Sequence, residues 1–477
     1  MLGHLTHPSM DLLIALKDLP PPPAQLFYER LSQLLEEAGF ELFLENLCRP
    51  YYADGFGRPG VPPGVYFRML FLGYFEGLDS QRAIAWHCAD SRSAQAFLGL
   101  PPHKATPDHS SLTKIRKRLP HSVHEQVFVF VLKLAEDNGL SPSKTVGVDS
   151  TMLEANASMK TIVRRDSGDD WKEYLRKLAA EAGIENPSDE DLRRFDRKRK
   201  DKKVSNEDWV SPADPDSKIA KMKDGTTHLA YKAEHVVDLE TELVLAAPVY
   251  AADQPDSATL LESVVSAQVN LMEAESGKPL EELASQGEDA VSGLTVIEEA
   301  VSDKGYHKAE TLADCSAAGV RTYIPESRRQ KRVWTDKPPE WERAYRNNRR
   351  RVGASRSKRL QKLRSEKVER SFAHVCETGG GRRSWLRGLV RVGTSYLMRV
   401  AGHNLGIIMR RVFGKGTPRS LQGFRAAVFG SRSSWRSWRC SWLVRRCTLR
   451  RLSEQLGVLE GAMRLPDGIY LLQSVWL

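Results

Sequence analysis

The chain has 477 residues, with 71 Lys and Arg against 61 Asp and Glu, a formal net charge of +10. That length exceeds one small core, and ordinary apolar and charged fractions, 41% and 28%, exclude a fibrous or disordered chain. Six scattered cysteines (Cys48, Cys88, Cys315, Cys376, Cys440 and Cys447) form no CxxC pair, which speaks against a zinc ribbon or a disulfide framework.

No apolar run reaches the roughly 18 to 20 residues that span a bilayer, and the first residues lack a signal-peptide pattern. No membrane partner is expected, and the expected location is the cytoplasm.

Residues 1–135 read as an all-α N-terminal domain, in which a helix with a basic face is as apt to contact DNA as to meet solvent. Apolar residues recur at three- and four-residue spacing over 27–44 and 66–75, separated by the Pro- and Gly-rich connector 55–64. Pro107-Asp108-His109-Ser110-Ser111 looks like a helix start, capped by Asp108 or Ser110, and Lys114 to Arg118 give that helix a basic face.

From residue 140 the pattern changes. Val146-Gly147-Val148 is a strand by its β-branched content and ends in Asp149. Residues 160–225 are charged and read as a short helix over 171–179 followed by a long loop. Residues 228–237 and 242–250 form a hairpin, 255–272 a helix, and 294–301 a strand that delivers Asp303. A helix over 308–318, a strand over 321–325 and a helix bearing Glu369 follow.

That order predicts an α/β fold: a mixed sheet in a ribonuclease H-like catalytic core over 140–412, with charged insertions at 160–225 and 327–364. The remainder, 413–477, reads as a basic tail without a clean period.

Charge is uneven along the chain. Residues 327–477 carry 35 Lys and Arg against 9 Asp and Glu, whereas residues 1–326 carry 36 against 52. The insertion 327–364 alone holds 15 basic and 3 acidic residues, among them Arg349, Arg350 and Arg351, with Trp334, Trp341 and Tyr345 interleaved. Such a composition suits gripping phosphates and stacking on bases.

Taken singly, Asp149 reads as a helix cap, Asp303 as a turn residue, and Glu369 as a solvated side chain paired with Lys367 or Arg370. Together, two carboxylates at strand ends and one on a late helix can clamp divalent metals around a phosphodiester. Hard oxygen ligands of this kind select Mg2+ or Mn2+. Glu366, one turn before Glu369, competes for the third position. His228 and Lys232 share one face of a strand, either as a polar edge or as phosphate contacts.

Several segments carry a family resemblance. They are Val146-Gly147-Val148-Asp149-Ser150-Thr151 with Glu154-Ala155-Asn156-Ala157; Lys221-Met222-Lys223-Asp224-Gly225-Thr226-Thr227-His228-Leu229-Ala230-Tyr231-Lys232; and Asp303-Lys304-Gly305-Tyr306-His307. Val368-Glu369-Arg370-Ser371-Phe372-Ala373-His374 and His403-Asn404-Leu405-Gly406 complete the set. On these residues the chain resembles the DDE transposases of bacterial insertion sequences, over about residues 20 to 415.

The resemblance implies an enzyme that nicks element ends and joins them to target DNA by two-metal phosphoryl transfer. Asp149 would bridge two Mg2+ or Mn2+ ions, with Asp303 and Glu369 each completing one sphere. The implied partner is double-stranded DNA, both terminal inverted repeats and target, bound by a homo-oligomer.

The family's Lys seven positions after the Glu is absent here, where Cys376 stands, and the nearest upstream Arg is Arg364. Arg370, Arg382 and Arg383 are the candidates to replace the missing cation. Two other readings compete: a metal-dependent nuclease without strand transfer, and an inactive DNA-binding relic.

Overall fold

The computed structural model describes residues 22, 24–53, 60–184, 186–199, 205–222, 224–285, 293–327 and 332–421. The expected tail beyond residue 421 lies outside the described residues.

The first described elements are helices α1 (Gln25–Glu37), α2 (Phe40–Cys48), α3 (Pro63–Phe75), α4 (Gln81–Asp90), α5 (Arg92–Phe97), α6 (His109–Arg118) and α7 (His121–Asp137). α3 is apolar on every side and accordingly sits inside its neighbours, with Tyr66, Phe67, Phe71 and Leu72 fully buried. Its one charge, Arg68, is satisfied by Glu41, Ser32 and the Phe97 carbonyl at 2.9, 2.9 and 3.0 Å. At the start of α6 it is Asp108 that caps, accepting the Ser111 N–H at 2.8 Å.

Strand β1 (Thr145–Glu154) leads into an insertion built from β2 (Val163–Arg164), α8 (Trp171–Glu181), α9 (Asp189–Lys198) and β3 (Trp209–Val210). The long loop expected here therefore contains a second helix and a two-stranded ribbon. α9 exists because Ser188 and Asp191 form a reciprocal capping box and Leu192 packs on Leu175 and Ala179.

The main sheet continues with β4 (Lys218–Lys221), β5 (Thr227–Asp238), β6 (Val244–Ala246) and β7 (Val249–Ala251). Asp224 and Gly225, the latter at φ +85°, make the tight β4–β5 turn, with Asp224 accepting from Thr226. The second hairpin strand divides into β6 and β7, with Ala247 and Pro248 between them; Pro248 has no N–H for the ladder, though its carbonyl accepts from Glu234. Helices α10 (Asp256–Ser276) and α11 (Leu280–Ser285) precede β8 (Glu299–Val301), α12 (Ala309–Ala317) and β9 (Arg321–Tyr323). Helices α13 (Pro339–Val352), α14 (Ser355–Phe372) and α15 (Leu389–Phe413) follow.

The strand order is β4-β5-β1-β8-β9, with β6 and β7 also on β5. β5 runs antiparallel to β1, whereas β8 and β9 run parallel to it, giving the expected mixed α/β sheet. Side chains of β1 alternate between faces. Gly147, Asp149 and Thr151 turn toward α14 and the segment after it, while Ser150 turns toward α10.

One hydrophobic cluster joins the N-terminal helices, the sheet and α15. The His403-Asn404 motif explains part of that union. His403 bonds Tyr74 of α3 at 3.2 Å, and Asn404 pairs with both the N–H and carbonyl of Val244 on β6. Among the described residues, Cys48, Cys88, Cys315 and Cys376 are free and buried, and no helix is long and apolar enough to cross a membrane.

Candidate active site

Asp149 lies in mid-strand, so it caps no helix. Gly147 two residues earlier lets α14 approach closely: a Cβ there would meet Arg364 Cγ and Val368 Cγ2 at 3.0 Å. Arg364 then reaches along the strand and donates from Nη1 to Asp149 Oδ2 at 2.8 Å. The pair is largely sheltered, with side-chain exposures of 12% for Arg364 and 26% for Asp149. Asp149 Oδ1 accepts the Ser150 N–H at 2.9 Å. His235, opposite Asp149 on β5, is taken up elsewhere: it bonds Ser371 and Tyr396, each at 2.8 Å, and stacks on Phe372 at 4.0 Å.

Asp303 follows β8, the parallel neighbour of β1, and caps the short turn Lys304–Tyr306 by accepting the Gly305 N–H at 2.7 Å. A Cβ on Gly305 would lie 3.0 Å from Asp303 Oδ1 and 3.1 Å from Asp256 Oδ2. Two carboxylates thus flank one bare α-carbon. Asp256, the first residue of α10, accepts from Ser150 Oγ at 2.9 Å and from Lys232 Nζ at 3.3 Å.

Beneath them Glu234 is fully buried and accepts from Thr259 and Tyr306, each at 2.9 Å. Burial pushes the Glu234 carboxyl up from its ordinary range. The Tyr306 phenol is also pushed up, first by burial and then by Glu234, Asp256 and Asp149. Glu234 and Asp256 escaped the sequence reading; Asp256 carries only the weak signal of an acid after Pro at a helix start.

Glu369 and Glu366, three residues and so about 60° apart around α14, take different partners. Glu366 accepts from Arg370 Nη2 at 2.6 Å, and Arg370 also holds Glu242 at 2.9 Å, on the flank facing the β5–β6 turn. Glu369 accepts from Ser365 Oγ at 2.8 Å. Among the described residues no three His, Cys, Asp or Glu side chains form a metal-holding group. Asp149 sits on β1 and Asp303 just past the end of its parallel neighbour β8, with Glu369 on the helix packed against β1.

The candidate DNA-contacting cations are mostly engaged inside the protein. Lys232 is buried, its ammonium held by the Gln254 carbonyl, Asp256 and Thr259. His228 and Arg383 both face Glu154, at 3.9 and 3.7 Å, and Arg383 also covers Trp385. Arg349 pairs with Glu326 at 3.2 Å, and Arg351 donates to the Thr322 carbonyl at 3.0 Å. Arg382 donates to Thr151 at 3.0 Å on the face of β1 that carries Asp149, and it also holds Glu377. Arg350 is exposed.

The aromatic side chains of the 327–364 insertion face inward. Tyr345 is buried against Trp334 and bonded to Glu326, while Trp334 and Trp341 pack on the core. Cys376, at the family's Lys position, is a buried thiol near Tyr396, and burial pushes its pKa up.

Two family models match this chain. A transposase domain of the DUF772 type matches residues 15–118, and a transposase DDE domain matches residues 294–409. The second span carries β8 through most of α15, hence Asp303 and Glu369, while Asp149 lies outside both. No curated protein and no solved structure matches. Both matches are to transposase domains and both matched regions are built into one α/β core, so the family models support a DDE transposase of insertion-sequence type.

Proposed function

We propose that this transposase nicks insertion-sequence ends and joins them to target DNA, with Asp149, Asp303 and Glu369 as its acidic set. The reading is supported by Asp149 on β1 and Asp303 just past the end of the adjacent parallel strand β8, with the helix that bears Glu369 packed against β1. Double-stranded DNA, both element ends and target, is the proposed substrate, bound by a homo-oligomer that pairs two ends.

The donor chemistry fits Mg2+ or Mn2+, since the three side chains offer oxygen alone. Two such ions supply, when bound, activation of the attacking oxygen and charge stabilisation on the leaving one. Asp149, Asp303 and Glu369 are the residues that would hold these ions. Arg364 donates to Asp149 Oδ2, so its guanidinium and a bound cation would compete for that carboxylate. Ser150, through its N–H to Asp149 and its hydroxyl to Asp256, fixes the orientation of both acids.

The test is magnesium-dependent cleavage of DNA carrying the element's ends by the wild type and by Asp149→Ala, Asp303→Ala and Glu369→Ala. Each substitution is expected to abolish cleavage while DNA binding persists. Retained cleavage in Glu369→Ala with loss in Glu366→Ala would move the third role to Glu366. Cleavage without joining would make the protein a nuclease on the same fold.

A further inference from the structure

Most basic side chains around the site are neutralised within the protein. Arg349 meets Glu326, Arg356 meets Glu299, Arg364 meets Asp149, and Arg370 meets Glu242. The first half of α14 is different. Lys358, Arg359 and Lys362 are exposed, while Ser357 and Leu360 between them are buried. Among the described residues, none of these three cations has an ion pair or hydrogen bond.

Helical geometry puts Lys358 and Lys362 on one stripe, with Arg359 beside it. The same stripe continues to Glu369, about 10 Å beyond Lys362 at a rise of ~1.5 Å per residue. Arg350, near the end of α13, adds a further exposed cation just before the turn into α14.

We infer that the outward stripe Lys358–Arg359–Lys362 of α14 is a track for the phosphate backbone of duplex DNA leading toward Glu369. The inference rests on the transposase reading and specifies which surface holds the substrate. Charge complementarity carries it. Unpaired cations bind phosphates at little cost because no internal partner must be surrendered, whereas Arg349 or Arg370 would first abandon a carboxylate. The contact is with the backbone, so it carries register and affinity without base preference.

The experiment is a fluorescence-anisotropy titration of the full chain with a short duplex of arbitrary sequence across a KCl series. The triple variant Lys358→Gln, Arg359→Gln, Lys362→Gln is expected to flatten the slope of log affinity against log salt by roughly two to three. Arg349→Gln, drawn from the internally paired set, is expected to keep the wild-type slope. A triple variant that binds with the wild-type slope overturns the track.

A wild type without affinity for any duplex overturns both the track and the transposition reading. A flattened slope alongside a wild type that never cleaves sustains the track and removes the enzymatic reading alone.

Discussion

Arg364 donates to Asp149 across 2.8 Å, so α14 brings a cation onto a carboxylate of the proposed acidic set. The guanidinium and a divalent ion compete for that oxygen. Arg364→Gln is therefore expected to tighten Mn2+ binding by about tenfold, since one positive charge leaves a partly sheltered acid. Calorimetric titration of the protein without DNA measures this. Equal affinity in both proteins would show that Arg364 does not guard Asp149.

Glu234 gives a pH-dependent stability with a defined sign. Its folded pKa is raised by burial above the ordinary 4.5, so the folded chain keeps a proton that the unfolded chain has lost. Stability should fall as pH rises from about 4.5 toward the folded value. Glu234→Gln keeps an acceptor for Thr259 and Tyr306 and removes the charge. It is expected to melt later than the wild type at pH 8. An earlier melt would show that the ionised carboxylate is needed.

His124 works in the opposite direction. It is buried between Tyr66, at 3.1 Å, and the Pro120 carbonyl, at 3.0 Å, and burial holds its pKa at about 4. The unfolded chain takes up a proton near 6.5 that the folded chain refuses, so stability is full above that pH and lost as pH falls toward 4. The loss is about 3 kcal/mol over that window. His124→Phe should be weaker at neutral pH, because Tyr66 loses its partner, yet should show a shallower acid slope in urea titrations. An unchanged slope would assign the acid lability elsewhere.

Gly147 is the close-packing point between β1 and α14. A side chain there meets Leu239 at 2.8 Å as well as Arg364 and Val368. Gly147→Val is expected to destabilise the fold by about 1 to 3 kcal/mol in denaturant titration. It should also push Arg364 off Asp149, which the Mn2+ titration described for Arg364→Gln would register as tighter binding. A neutral effect on both would mean that α14 can ride outward freely.

The strands that form the centre of the site were legible because their signals are local. Val146 to Val148 is β-branched and sharply bounded, and the acids follow within a few residues. α9 was not legible: Leu192 and Phe195 are its only large apolar residues, and it is held by a cap and by packing on α8. Asp256 was missed because its meaning lies in Ser150, 106 residues away.

The cations show the same limit most plainly. Their number is visible in the sequence, but whether each is engaged depends on distant acids. Arg370 is bound to Glu242 across 128 positions, and Arg364 to Asp149 across 215.

The shared core has a consequence for how such a protein can change. α3 is buried on all sides, and Tyr74 near its end bonds His403 of α15 while a Cβ on Gly402 would press into the same ring at 2.9 Å. The region before β1 is thus no detachable cassette. A fragment beginning at the first strand would bare the α15 surface that α3 and α7 now cover. Swapping the front helices for those of another element would demand matching changes near the other end of the chain. Whatever the front helices recognise is inherited together with the proposed acidic site, as one piece.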